Sequence, residues 1–433
     1  MTLLAATATY PAWSVVPFIA LLLCIALLPL FLEKWWHLNR NKALVGASFG
    51  LPVATWVLWT DPAALGHTAL DYMAFLSLLG VLFVVAGGVE IRGSLSGTPL
   101  ANAGLLAIGA LLANIVGTTG ASMLLIRPFL RANARRRDKT HLVVFFIFIV
   151  SNVAGLLTPL GDPPLFLGFL HGVPFTWTLR LWGPWAVVTG GCLLVFLLVD
   201  RVRYSREELK PPGEAPAVKR FSIAGAPNMV LLVAVMGVVF AGGAWVTPWA
   251  KAQWGANGDS AAKAFQIVAL AGIATLSYVL TPRETHKANE FTWHPFIEVS
   301  VLFAGIFAAM IPALKLLESN GPRLHVQEPW QYFWATGSLS AFLDNAPTYL
   351  AFLSLAQYLP DEVAGTTARV LAAISCGAVF FGAMTYIGNG PNFMVKAIAE
   401  HAGVKMPSFF GYMAWSLAVL VPLFVAVTFM FFR

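Results

Sequence analysis

Four clusters of polar residues interrupt the long apolar stretches of this sequence. They lie at 114–122, 158–164, 344–348 and 385–392, and the second reads Thr-Pro-Leu-Gly-Asp-Pro-Pro. Each cluster combines glycine or proline with side chains that carry oxygen. Glycine frees the backbone from helical geometry and proline removes an N–H donor, so each cluster predicts an interruption of a helix.

The side chains at these interruptions supply hard oxygen ligands. Carbonyl groups released by an interrupted helix add further acceptors, and in an apolar environment they need a partner. A dehydrated cation is one such partner, whereas half-helix N-termini favour an anion. We expect a small ion or small carboxylate as ligand, with sodium, protons or both as coupling ions and no other cofactor or metal. The predicted ion- or substrate-binding residues are Asn114, Gly117, Thr118, Thr119, Ser151, Asn152, Thr158, Asp162, Asp344, Asn345, Thr348, Thr385, Asn389 and Asn392.

Two of these residues are carboxylates within apolar stretches, Asp162 in the first half and Asp344 in the second. Ionisable groups at membrane depth are costly, which makes them candidates for function. A carboxylate without water favours its protonated form, and a bound cation favours the ionised form. One carboxylate can therefore exchange a proton for sodium, and both are predicted to couple protons. Helix capping is the structural alternative for Asp162, because Pro163 is a favoured first-turn residue.

The composition indicates what surrounds these interruptions. Of the 433 residues, 58% are hydrophobic and 11% are charged, and the mean hydropathy is +0.75. Soluble domains carry about 25% charged residues, so lipid must cover most of this surface. The net charge of +7 does not indicate a nucleic-acid partner, because the basic residues lie in short loops between apolar stretches. The sequence predicts an all-α polytopic protein in a lipid bilayer.

Ten apolar stretches have the length needed to cross a bilayer. They lie at 12–32, 43–60, 71–89, 141–171, 181–200, 227–248, 262–281, 295–313, 366–395 and 408–432. Two further stretches, about 100–130 and 330–359, are too short for two complete crossings and are polar in the middle. We expect these two to be re-entrant hairpins, and 141–171 and 366–395 to be discontinuous helices with their breaks at the midplane.

The distribution of basic residues favours this topology. If the N-terminus is periplasmic and both hairpins return to their side of entry, the cytoplasmic segments hold 19 Lys or Arg and the periplasmic loops hold four. If 100–130 crossed outright, the basic run at 135–139 would lie outside, against the positive-inside rule. We therefore expect a multi-pass protein of the bacterial inner membrane with both termini in the periplasm.

The predicted segments repeat in order along the chain. Residues 1–200 and 227–433 each contain five crossings and one hairpin, and 201–226 is a Pro-containing, charged cytoplasmic linker. Five is an odd number, so the second half is predicted to be inverted in the membrane. Two inverted repeats with discontinuous helices are a frequent plan of secondary transporters, whose binding sites lie at the breaks.

The four clusters resemble corresponding segments of the ion transporter superfamily. This superfamily includes sodium:proton antiporters, citrate and dicarboxylate transporters and arsenite permeases, and the sequence is similar to its bacterial antiporter-like and citrate-transporter-like members. Ser151-Asn152 with 158–164 resembles the first broken helix, and 114–119 and 344–348 resemble the two hairpin tips. The resemblance implies a homodimer in which each protomer has a scaffold and a moving transport domain of the elevator type.

The hairpin tips differ from those of sodium-coupled carboxylate transporters in this superfamily, which carry Ser-Asn-Thr. Here no Ser precedes Asn114, and Asp344 stands where the second Ser would be. These differences favour ion exchange, so sodium:proton antiport by alternating access is the first hypothesis. Coupled transport of citrate, a dicarboxylate or another anion with sodium or protons is the alternative, although no membrane-depth Lys or Arg is evident to receive a tri-anion.

A channel and an intramembrane protease are two further possible classes of membrane protein. A channel is possible, but inverted halves with broken helices suit alternating access better. An intramembrane aspartyl protease also uses two membrane aspartates, in motifs that resemble Tyr-Asp and Gly-x-Gly-Asp. Leu343 precedes Asp344, and Asp162 follows Pro159-Leu-Gly161, so neither motif matches. Enzymatic activity is therefore not expected.

Overall fold

The computed structural model describes residues 10–36, 38–92, 97–206, 222–289 and 291–433. Its α-helices are α1 (Val16–Phe31), α2 (Glu33–Trp36), α3 (Asn39–Thr60), α4 (Pro62–Gly87), α5 (Pro99–Ala132), α6 (Thr140–Ile149), α7 (Pro163–Leu170), α8 (Trp182–Arg206), α9 (Ala226–Ala241), α10 (Thr247–Trp254), α11 (Gly258–Leu280), α12 (Arg283–Ala288), α13 (His294–Asn320), α14 (Pro329–Ser340), α15 (Asn345–Ala356), α16 (Ala368–Phe381), α17 (Gly390–His401) and α18 (Phe409–Val427). Short 3₁₀ helices lie at Ala12–Val15, Val153–Leu156, Phe175–Leu181, Gly255–Asn257, Gly321–Leu324 and Gly382–Met384, and π-helical turns at Gly242–Val246 and Thr428–Phe432.

Long apolar helices dominate this architecture. In the described ranges, nine helical stretches are long and apolar enough to cross a membrane: Ala12–Pro29, Asn39–Thr60, Pro62–Gly87, Pro99–Ala132, Phe175–Arg206, Ala226–Trp254, Gly258–Leu280, His294–Asn320 and Phe409–Phe432. This confirms the prediction of a helical, multi-pass membrane protein. The expectation of an all-α chain missed one small sheet, in which β1 (Glu90–Arg92) pairs antiparallel with β2 (Ser222–Ala224). The predicted linker at 201–226 lies largely outside the described residues.

Helix α5 is a hairpin and not a straight rod. Gly117 has φ 77° and ψ 157°, values that break the helix and favour glycine. The two ends of α5 meet, because Asn102 Nδ2 donates to Asn133 Oδ1 at 2.9 Å. A straight helix would hold these residues about 46 Å apart.

Helices α14 and α15 form a second hairpin, with its turn at 341–344. Near the open end of this hairpin, the Tyr358 hydroxyl donates to the Val326 carbonyl at 2.5 Å. The Tyr332 and Phe352 rings face each other across the two arms, with centroids 6.5 Å apart. We call α5 hairpin 1 and α14–α15 hairpin 2.

Two other helical stretches are interrupted by extended and 3₁₀ backbone. The first break separates α6 from α7, and the second separates α16 from α17. At the first break, a Cβ added to Gly161 would lie 2.2 Å from the Gly155 carbonyl oxygen. At the second, a Cβ on Gly388 would lie 2.7 Å from the Gly382 carbonyl oxygen. Both breaks therefore fold back so tightly that only glycine fits.

Helices from the two halves cross each other in a separate group, in which α3 packs on α13 and α4 packs on α11. The backbones of α3 and α13 approach closely, since a Cβ added to Gly50 would lie 2.8 Å from the Gly305 Cα. Small residues permit such close crossings in membranes. Each crossing also carries an ion pair of 2.6 Å between a lysine and a carboxylate, Lys42–Glu298 and Lys263–Asp71.

A buried polar cluster holds the open end of hairpin 1. Asp200 on α8 pairs with Arg136 at 2.6 Å and with the Nε2 of His141 at 2.9 Å. It also accepts a hydrogen bond from Asn102 Nδ2 at 3.2 Å. All four side chains are buried. Burial makes the loss of one partner costly, because the remaining charge is left without compensation.

We expect Asp200→Asn to lower the thermal unfolding midpoint of the purified protein in detergent, since removing one partner of a buried ion pair costs roughly 3–5 kcal/mol. Asp138→Asn is the matched control, because the Asp138–Arg203 pair is exposed and such pairs contribute about 0–1 kcal/mol. Equal shifts of the two midpoints would contradict the assigned role of Asp200.

Candidate functional site

One buried carboxylate joins both hairpins and both breaks. Asp162 lies just before α7 and is 1% exposed. Its Oδ1 accepts hydrogen bonds from Thr118 Oγ1 at 2.8 Å and from Asn389 Nδ2 at 3.2 Å. Its Oδ2 accepts one from Asn345 Nδ2 at 2.5 Å. Thr118 belongs to hairpin 1, Asn345 to hairpin 2 and Asn389 to the second break, so Asp162 connects segments 183 and 227 residues away in sequence.

Among the described residues, the hydrogen-bond donors to Asp162 are all neutral. They are one hydroxyl and two amides, so none of them balances a negative charge. Asn345 Oδ1 is buried and has no hydrogen-bond partner among the described residues. A site with a carboxylate, a hydroxyl and amide oxygens has the ligand types that sodium or a proton requires.

A second ring of side chains surrounds this centre. The Asn389 amide also donates to the Ser151 carbonyl and to Asn152 Oδ1, both at 3.2 Å. Asn152 Nδ2 in turn donates to Asn392 Oδ1 at 2.7 Å. Asn392 Nδ2 donates to carbonyls of the second break, those of residues 382 and 385. Backbone acceptors released at the breaks are thus satisfied by amide side chains.

Each hairpin is attached to the break of its own half by the same kind of bond. Thr158 Oγ1 donates to the Asn114 carbonyl, and Thr385 Oγ1 donates to the Ala341 carbonyl, both at 2.5 Å. The two partners are 44 residues apart in the sequence in both cases. Adding 227 to the residue numbers of the first pair gives the residue numbers of the second.

The same shift of 227 positions relates residues at the centre. It takes Thr118 to Asn345, and it takes Asp162 to Asn389. Asp162 and Asn389 both occupy the position just before a short helix, and neither side chain caps that helix. The centre therefore consists of two pairs of equivalent positions, Thr118 with Asn345 and Asp162 with Asn389. Of these four side chains, only Asp162 is a carboxylate.

The second predicted carboxylate has different contacts. Asp344 is half-buried and caps α15, with its Oδ1 accepting from the Ala346 N–H at 3.1 Å. Its carbonyl accepts from Thr348 Oγ1 at 2.9 Å. These bonds remain within the tip of hairpin 2. Helix capping, considered for Asp162 from the sequence, is thus observed for Asp344.

The remaining predicted positions lie around the same centre. The Thr118 N–H donates to the Gly161 carbonyl at 2.8 Å, which docks the turn at Gly117 onto the first break. Asn114 Oδ1 accepts from the Leu157 N–H at 2.8 Å. Thr119 lies at the same turn, is partly exposed and is not among the residues that contact Asp162.

Several residues that complete the site were not selected from the sequence. Ser122 Oγ bonds Ser151 Oγ at 2.8 Å. Trp185 Nε1 donates to the carbonyl of residue 154 at 3.0 Å, and the Tyr412 hydroxyl donates to that of residue 383 at 2.9 Å. Trp185 and Tyr412 are again 227 positions apart, so a search for this internal repeat could have found them.

A comparison with known families identifies the chain. The family model described as "Putative citrate transport" matches residues 7–432. The chain belongs to this citrate-transport family. The match includes both hairpins and both breaks, and it confirms the resemblance to citrate-transporter-like members of the ion transporter superfamily. No curated protein sequence matches the chain.

The backbone at both breaks approaches itself so closely that a side chain at Gly161 or Gly388 should destabilise the fold. We expect Gly161→Ala and Gly388→Ala each to lower the thermal unfolding midpoint and the yield of monodisperse protein, because the added Cβ meets a backbone carbonyl at 2.2 and 2.7 Å. Gly190→Ala on α8 is the control, since its Cβ has open space and alanine favours a helix by about 1 kcal/mol. A Gly161→Ala protein as stable as Gly190→Ala would show that the break is looser than described.

Proposed function

We propose that this protein is a secondary transporter that moves a citrate-class carboxylate together with a cation. Membership of the citrate-transport family supports the substrate class. The observation that supports coupling of the substrate to a cation is Asp162, a buried carboxylate whose hydrogen-bond donors among the described residues are all neutral.

The need for a cation follows from electrostatics. An anionic substrate beside an ionised Asp162 would be repelled, and this repulsion is strong where water is excluded. A proton on Asp162, or sodium between it and the substrate, removes the conflict. Thr118, Asn345 and Asn389 would then provide neutral oxygens, and the N-termini of α7 and α17 would favour the substrate carboxylate.

The other predicted residues would contribute around this centre. In this proposal Asp162 carries the coupling cation, and Asp344 at the neighbouring hairpin tip modulates the local charge. Gly117, Thr119, Ser151, Asn152 and Asn392 shape or line the binding region. Asn114, Thr158, Thr348 and Thr385 hold the hairpins against the breaks.

The proposed architecture is a pair of inverted repeats, 1–200 and 227–433, joined by the linker at 201–226. The shift of 227 positions that relates Thr158–Asn114 to Thr385–Ala341 supports it. Hairpins 1 and 2 would be re-entrant from opposite sides of a bacterial inner membrane, with both termini in the periplasm. The crossed helices α3, α4, α11 and α13 would form the scaffold of a homodimer, and the hairpins and breaks would move as an elevator.

Sodium:proton antiport is the second candidate function. It is favoured by the same carboxylate, because Asp162 with neutral partners can exchange a proton for sodium without any organic substrate. The two candidates differ in whether citrate must be present for coupled ion movement.

Transport in proteoliposomes tests the proposal. We expect labelled citrate to accumulate when an inward sodium or proton gradient is imposed, and Asp162→Asn to reduce this uptake at least tenfold. Asp61→Asn is the control, because Asp61 caps α4 away from the centre. Sodium-driven pH changes without citrate, together with no citrate uptake, would favour antiport instead.

Substitutions of Asp162 and of Asp344 should differ in their effect on citrate uptake. We expect Asp344→Asn to retain most of the initial uptake rate, because asparagine can still accept from the Ala346 N–H. A loss as large as that of Asp162→Asn in the same uptake assay would contradict the assignment of Asp162 as the main coupling group.

A further inference from the structure

A groove lies outside the site, where the start of α8, the start of α16 and the π-helical turn at Thr428–Phe432 meet. Its volume is about 480 Å³. Its wall is largely apolar and includes Trp182, Ala372, Met430 and Phe431. Trp182 and Met430 are 68% and 61% exposed, so the groove opens onto the lipid-facing surface. A bilayer would fill such a groove with hydrocarbon.

Two arginines from distant parts of the chain line this groove. Arg180 lies near the end of the 3₁₀ helix Phe175–Leu181 that leads into α8, and Arg369 is the second residue of α16. Both are exposed, and none of the residues that line the groove is Asp or Glu. Within the described part of the chain, neither guanidinium pairs with an Asp or Glu side chain. Arg369 donates one hydrogen bond, to a main-chain oxygen of Arg433 at 3.0 Å.

The position of these arginines matches that of lipid headgroups. They lie at the ends of apolar helices, and Trp177 and Trp182 line the groove beside them. Tryptophan is enriched at the membrane–water interface, where the lipid phosphates lie.

We propose that this groove binds an anionic phospholipid. The lipid phosphate contacts Arg180 and Arg369, and one acyl chain lies along Trp182, Met430 and Phe431. An apolar wall with a cationic rim requires an amphipathic ligand, which distinguishes this occupant from a free anion. Two guanidinium groups in a groove lined by no Asp or Glu favour a lipid of net negative charge over a zwitterionic one.

The bound lipid would connect the two halves of the chain. Arg180 belongs to the first half, whereas Arg369 and the wall residues Met430 and Phe431 belong to the second. A lipid that contacts both would hold together the start of α8, the start of α16 and the C-terminal turn. This role does not depend on which substrate the protein carries.

Native mass spectrometry of the delipidated, full-length protein tests the proposal. Phosphatidylglycerol and phosphatidylcholine, matched in acyl chains, are added at equal concentration. We expect the wild type to retain at least threefold more phosphatidylglycerol. The double variant Arg180→Gln/Arg369→Gln should lose this preference, whereas Lys315→Gln/Arg323→Gln, which removes two basic residues away from the groove, should keep it.

A second measurement separates lipid binding from folding. Phosphatidylglycerol should raise the thermal unfolding midpoint of the wild type and not that of the Arg180→Gln/Arg369→Gln variant, while the two lipid-free midpoints agree. The proposal is overturned if the double variant retains phosphatidylglycerol as the wild type does. It is also overturned if soluble glycerol phosphate produces the same stabilisation, or if a second copy of the chain covers the groove and excludes lipid.

Discussion

The structure depends on how polar groups are satisfied where helices stop inside an apolar protein. A helix that breaks leaves carbonyl and N–H groups without partners, and hydrocarbon offers none. Here side chains from other segments supply hydrogen-bond partners to the breaks. Thr158 and Thr385 tie the hairpins to the breaks, and Asn152 and Asn392 bridge the two halves. Because each break needs hydrogen-bond partners from other segments, the two hairpin turns and the two breaks lie together at one place.

Asp162 is the exception within this neutral network. Threonine and asparagine satisfy the released backbone groups without any net charge, whereas a carboxylate introduces one. Its equivalent in the other half is Asn389, a neutral side chain that donates to Asp162 itself. The matching position of the other half is thus filled without a charge. The proposed coupling cation would offset the cost of burying the charge of Asp162.

Much of the fold could be predicted from local features of the sequence. The length of the apolar stretches indicated the helices, and glycine and proline indicated where they are interrupted. The internal shift of 227 positions was also present in the sequence, in the paired motifs at 158–164 and 385–391. The small sheet was missed because its strands have only three residues each.

The partners within the site could not be predicted in the same way. The bond between Asp162 and Asn345 joins residues 183 positions apart, and no local pattern specifies it. For the same reason, the sequence treated Asp162 and Asp344 alike, although one faces the centre and the other caps a helix. The cluster around Asp200 was also missed, since its members lie at the ends of apolar segments where charged residues are common.

In the proposed mechanism, Asp162 binds a cation that the substrate requires. Binding of citrate to the purified protein, measured by calorimetry over a range of sodium concentrations and pH, tests it most directly. Linkage requires that a coupled cation raise the citrate affinity and that citrate raise the cation affinity by the same factor. We expect the citrate affinity to rise at least tenfold with sodium or with falling pH, and this rise to be lost in Asp162→Asn. Citrate affinity that is independent of both cations in the wild type would contradict the proposed role of Asp162.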